Sequence, residues 1–177
     1  MSAKPLGDAC DAAVISCGPA TEPERIGDGK NEVIVLKPDN VVQHRRPIKQ
    51  EPSVALRVDG GWLAGSSRGE WGGELVFIAD DGPAVVPLDE NVLDIHGLGE
   101  RTVVLTGLSH MGMNNGMVRE VSRDASGHWT VRPWRALPGA PSQSWRVETG
   151  ELLIDVYGGG TLLLHPDGSF RMAPCSA

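Results

Sequence analysis

Long apolar runs, basic clusters and C-x-x-C pairs are all missing from this 177-residue chain. No stretch reaches the roughly 20 consecutive apolar residues of a membrane-spanning helix, so no span is expected. Residues 1–20 carry no basic segment followed by an apolar one, so no intact export signal is expected. A periplasmic or secreted location would follow from a leader already removed, and a cytoplasmic one otherwise. Cysteine is confined to Cys10, Cys17 and Cys175, none with the C-x-x-C spacing of a zinc or redox site. One disulfide among these three would tie down terminal segments and contribute about 2–4 kcal/mol; three free thiols are the alternative.

Positive charge is scarce too. The net charge is −7, and lysine occurs only at Lys4, Lys30, Lys37 and Lys49. That balance disfavours a nucleic-acid backbone as partner, because affinity there comes from Lys and Arg neutralising phosphates. The chain also lacks a Gly-x-Ser-x-Gly elbow, a phosphate loop, a dinucleotide fingerprint and a His-Glu-x-x-His pair. Asp28-Gly-Lys-Asn-Glu32 offers oxygen ligands but not the spacing of a calcium loop. No cofactor and no metal site are expected, and the absences count against the common enzyme classes.

What is present is a β-rich unit, repeated in phase. Its first copy runs from Ser53 through a glycine-rich loop to Leu75-Val-Phe-Ile-Ala-Asp-Asp-Gly82; the second starts at Asn91 and the third at Ser144. Gly73, Gly116 and Gly160 recur roughly 40–45 residues apart, as do Gly82, Gly127 and Gly168. Each unit holds four short strand candidates separated by glycine turns, with Ala84–Leu88, His128–Arg132 and Ser169–Met172 as the fourth strands. Glycine supplies the positive φ of tight hairpin turns, and a neighbouring Asp bonds back to the turn backbone. Upstream, Glu32–Lys37 and Val41–His44 fit the third and fourth strands of a partial unit. Five Trp against two Phe and one Tyr fit a repeat that fills the gaps between neighbouring sheets with indole rings.

Four-stranded antiparallel units of this length resemble the blades of a β-propeller. The run Arg68-Gly-Glu-Trp-Gly-Gly-Glu74 is also similar to a Gly-Glu-Trp-Gly-Gly segment of uncharacterised bacterial β-propeller-like proteins, a resemblance that implies no activity. The expected fold is therefore all-β, a propeller-like array of three complete blades plus one partial blade. It spans residues 31–173, after an N-terminal segment 1–30 that is partly irregular and before a short tail 174–177. Three and a fraction blades could close as a small ring, or form a half-ring completed by a homodimer, or remain an open stack.

In that frame the loops joining the second and third strands of each unit share one face, where binding commonly sits. These loops, read as 66–73, 107–116 and 158–160, gather Arg68, Glu70, Trp71, His110, Asn114 and Asn115. Asn114-Asn115-Gly116 reads as a turn former. Trp71, between glycines, suits either a packing wedge or an exposed anchor. The leading expectation is a non-catalytic module that binds another protein, in the manner of an inhibitor or immunity-type factor. Two alternatives stand beside it. One is a hydrolase or lyase acting on a small or sugar-like substrate, with Glu70 and His110 as acid and base. The other is a structural subunit of a larger ring.

Overall fold

The computed structural model describes residues 52–82 and 84–172. The three cysteines, the partial unit at 31–44 and the tail lie outside the described residues. Among the described residues, twelve strands form three four-stranded antiparallel sheets, and one single-turn 3-10 segment at Gly69–Trp71 is the only helix. Each sheet is a meander of consecutive strands. Sheet one is β1 (Val54–Val58), β2 (Gly61–Ser67), β3 (Gly73–Ala79) and β4 (Val85–Leu88). Sheet two is β5 (Val92–Leu98), β6 (Arg101–His110), β7 (Met113–Arg123) and β8 (Trp129–Leu137). Sheet three is β9 (Pro141–Arg146), β10 (Leu152–Val156), β11 (Gly160–Leu164) and β12 (Phe170–Met172). The four-strand unit read from the sequence is thus the structural unit.

Alternation along the strands decides which sheets meet, since successive side chains point to opposite faces. In β6, Val104 faces sheet one and packs with Leu56, Leu63, Leu75 and Phe77. Its neighbours Val103 and Leu105 face sheet three and pack with Leu152, Ile154 and Leu164. Sheet two is consequently apolar on both sides and lies between the other two. The far face of sheet one carries Ala64, Val76 and Ile78, and that of sheet three carries Leu153 and Leu163, all buried. Among the described residues no further sheet lies against either face.

Two details depart from the sequence reading. Gly107–Gly116 is not a loop: β6 and β7 stay paired out to His110 opposite Met113, leaving Met111 and Gly112 as a two-residue turn. Asn114, Asn115 and Gly116 are therefore strand residues, because the ladder hydrogen bonds outweigh their turn preference. Likewise β8 continues past Arg132 to Leu137, matching the added length of β7.

The in-phase glycines at 73 and 116 serve close approach rather than positive φ. A Cβ at Gly73 would fall 2.1 Å from the Ser66 carbonyl oxygen, and one at Gly116 would fall 2.2 Å from that of Gly139. Four of the five tryptophans are half-buried at sheet surfaces, where Arg123 stacks over Phe77 and Trp129, and Arg101 and Arg135 over Trp134. The fifth is Trp71.

Candidate functional site

The three second-to-third strand loops cluster at one end of the sheets, tied together by side chains from neighbouring units. The first loop, residues 68–72, closes on itself through backbone hydrogen bonds from the Arg68 amide to the Gly72 carbonyl and from the Gly72 amide to the Gly69 carbonyl. Buried Asn91, in the connection to sheet two, supplies the framework: its Oδ1 accepts from the Arg68 amide at 3.1 Å and its Nδ2 donates to the Gly69 carbonyl at 2.7 Å. The Arg68 guanidinium donates to the Trp71 carbonyl at 2.7 Å and closes the turn. With the backbone committed in this way the indole of Trp71 projects outward and is 71% exposed. Among the described residues Trp71 is an exposed side chain rather than a wedge between sheets.

Glu70 links this loop to sheet two. Its Oε2 lies 2.9 Å from Nε2 of His110, the last residue of β6, with both side chains about two-fifths exposed. The approach is off-line for an aligned ring N–H hydrogen bond, so the contact is an ion-pair contact when the imidazole is protonated. Asn114 makes the corresponding link to sheet three. Its Nδ2 donates to the Tyr157 carbonyl at 2.6 Å, and its Oδ1 accepts from the Ala140 amide at 2.8 Å. Asn115 is exposed on the adjacent pair of β7.

All six residues singled out from sequence, Arg68, Glu70, Trp71, His110, Asn114 and Asn115, therefore lie at this one end. Sequence reasoning missed three apolar members: Met111, 90% exposed, Met113, 52% exposed, and Tyr157, 54% exposed. Of the exposed large apolar side chains among the described residues, only Val85 lies elsewhere. The detectable signal was positional: Met111 and Met113 fall within 107–116, the second unit's counterpart of the Trp71 loop, and Tyr157 directly precedes the 158–160 loop of the third. Met111 also adopts a left-handed backbone, φ 47°, an uncommon state for a non-glycine residue.

A second constellation sits on β5 and β9, edge strands of sheets two and three. The Ser144 hydroxyl donates to Asp94 Oδ2 at 2.6 Å, while His96 Nε2 is 2.8 Å from Ser144 Oγ and 3.2 Å from Asp94 Oδ2. Burial would raise the Asp94 pKa. The hydrogen bond and charge of His96, with hydrogen bonds from Ser144 and the Ile95 amide, outweigh it and hold the carboxyl below its ordinary value. This is no nucleophilic triad. One imidazole nitrogen faces both partners, whereas a triad acid sits on the opposite nitrogen from the hydroxyl.

The remaining acids read as turn formers behave so. Asp124 accepts from the Ser126 hydroxyl and the His128 and Ser126 amides, Asp167 from the Ser169 amide and hydroxyl, and these bonds lower both pKa values. Asp80 instead pairs with Arg57 through two 2.6 Å bonds across the first hairpin. Among the described residues no three His, Cys, Asp or Glu side chains gather as a metal site.

Comparison with known proteins finds no match. Neither a family model, nor a curated protein, nor a solved structure corresponds to this chain.

Proposed function

We propose that the chain is a non-catalytic protein-binding module, an inhibitor or immunity-type factor, that docks its partner on the loop face. The observation that supports this reading is the gathering of Trp71, Met111, Met113 and Tyr157 on three loops held rigid by Asn91, Asn114 and the Glu70–His110 contact. Exposed aromatic and methionine side chains on a fixed backbone suit interface anchors, since little further ordering is needed on binding. Arg68, Glu70 and His110 supply the polar rim. We further propose that the sheets are propeller blades. The buried apolar far faces of sheets one and three each suit another sheet, and the strand-like segments at 31–44 fit a fourth blade between them.

A photo-crosslinker in place of Trp71, compared with one at Val85, tests the interface in the native source. Crosslinks specific to position 71 identify the partner, and Trp71→Ala then weakens its binding by about 2 kcal/mol or more, as for an anchor residue. Unchanged affinity of the Trp71→Ala and Arg68→Ala variants removes the loop face as interface. The mass in solution separates a closed monomeric ring from a ring completed by a second copy.

The 2.9 Å approach of Glu70 to His110 favours one second reading, acid–base catalysis on a small or sugar-like substrate. Hydrolysis of a nitrophenyl ester or glycoside panel that vanishes in both Glu70→Gln and His110→Ala supports it. Activity indifferent to both substitutions ends it.

A further inference from the structure

The first strands of the three sheets, β1, β5 and β9, run beside one another and leave a cavity of about 360 Å³ between them. Its wall includes Val54, Leu93, Leu105 and Trp145 as apolar members and Asp94 and Ser144 as polar ones. The cavity is within the size range of sites for small ligands, at the lower end. Asp94 is the only charged side chain among the described lining residues; His96 contacts it from behind, and no Lys or Arg is among those residues.

The carboxylate is built to stay ionised. Ser144 and His96 engage Oδ2, and the Ile95 amide donates to Oδ1 at 2.9 Å. A carboxylate oxygen can accept two hydrogen bonds, so these contacts leave acceptor capacity toward the open side. The side chain is 29% exposed, whereas His96 behind it is 8% exposed. Ser144 is also buried, so within the cluster the carboxylate is the group presented to an incoming ligand, beside the uncharged Ser142 and Gln143 of the same wall.

We propose that this cavity binds an organic cation, an alkylammonium or alkylguanidinium head on a slender apolar stem. The head would meet Asp94 and the stem would lie along Leu93, Leu105 and Trp145. A buried charge is stable when paired, and a cation that replaces water at Asp94 makes a charge-assisted hydrogen bond in a partly desolvated setting. The same head group is carried by free amines and by Lys or Arg side chains of a bound protein. The cavity is separate from the Trp71 loop surface, and its occupancy does not depend on the loop-face reading.

Nuclear magnetic resonance titration of the full chain with butylammonium, butylguanidinium and butanol tests the proposal. Peptides of sequence acetyl-Gly-Lys-Gly-amide and acetyl-Gly-Arg-Gly-amide form the second arm. The cations should shift the amides of Ile95 and Ser144 saturably, with the millimolar affinity that so few heavy atoms allow, and butanol should not. Binding by the small cations alone assigns a free amine, and equal or tighter binding by the peptides assigns a protein side chain. Asp94→Asn should weaken binding at least tenfold. Leu93→Phe adds bulk to the wall where the stem would lie, leaves the carboxylate and its partners in place, and should weaken binding even if Asp94→Asn is poorly folded. Absence of saturable shifts with every cation, equal shifts with butanol, or binding unaltered in a folded Leu93→Phe protein would overturn the proposal.

Discussion

Replacing Met111 should stabilise the protein while damaging the proposed interface. The β6–β7 turn has positive φ at both central positions, 47° at Met111 and 87° at Gly112, the pattern of a type I′ hairpin. Asn-Gly is the preferred pair there, because an L residue with a bulky side chain pays about 1–2 kcal/mol in the left-handed region. Met111 recovers nothing through burial, being 90% exposed. Met111→Asn should therefore raise the unfolding free energy by about 1 kcal/mol. Met111→Gly should gain less, about 0.5–1 kcal/mol, since glycine also widens the unfolded ensemble. For a chain of this size, 1 kcal/mol corresponds to a rise of about 2–4 °C in Tm. Thermal and urea unfolding followed by circular dichroism read this directly, and partner affinity measured in parallel should fall. A Tm unchanged or lowered in both variants would refute the strain argument. A raised Tm with undiminished affinity would separate the strain from binding.

Three further outcomes follow from the packing and the charges. A Cβ at Gly65 would lie 2.2 Å from Val92 Cγ1, so Gly65→Ala should cost about 1–3 kcal/mol, and only partly less in a Val92→Ala background, where the retained Cβ would still lie 2.8 Å away, by urea unfolding of the four-member cycle. Asn91→Ala removes both loop hydrogen bonds of a buried amide; stability should drop by about 1–3 kcal/mol and residues 68–72 should lose backbone order in relaxation measurements. Asp94 has a folded-state pKa below its ordinary 3.8, so the unfolded chain binds the extra proton first as pH falls. Its stabilisation should be complete above that ordinary value and should be lost as pH falls through the lower folded value. Wild type should therefore show a steeper acid loss of unfolding free energy than Asp94→Asn, and identical slopes would contradict the assignment.

The strand framework was legible because the turn glycines at 60, 99 and 150, and at 82, 127 and 168, do adopt positive φ, a backbone demand that leaves a residue signature. Glycine in a strand leaves the same letter for another reason. Gly116 admits the Gly139 carbonyl, and nothing in the local pattern distinguishes that from a turn, which is why the β6–β7 hairpin read as a loop. The site followed the same division. Residues in equivalent loops of successive units were gathered correctly at one end by repeat phase alone. Whether Trp71 faces in or out depended on Asn91, a residue of the next connection, and local pattern could not settle it. The Asp94–His96–Ser144 cluster depends on the relative offset of β5 and β9, edge strands of different sheets, with Ser144 lying 50 residues from Asp94 and 48 from His96. Hydrophobic alternation fixes pairing within a sheet and says nothing about that offset.

The meander topology has a kinetic consequence. Every described strand pairs, among the described residues, only with its immediate neighbours in the chain, so each of these sheets can assemble through local hairpins before any distant contact is required. The links between sheets, Asn91 to the first loop, Glu70 to His110 and Asn114 to Tyr157, belong to the docking that follows. The loop surface and the inner cavity come into being only at that last stage. A lesion that merely undocks one sheet would leave the secondary structure, and hence the far-ultraviolet spectrum, nearly intact while abolishing both. Loss of binding without loss of strand content is the phenotype to look for in weakly destabilised variants of this chain.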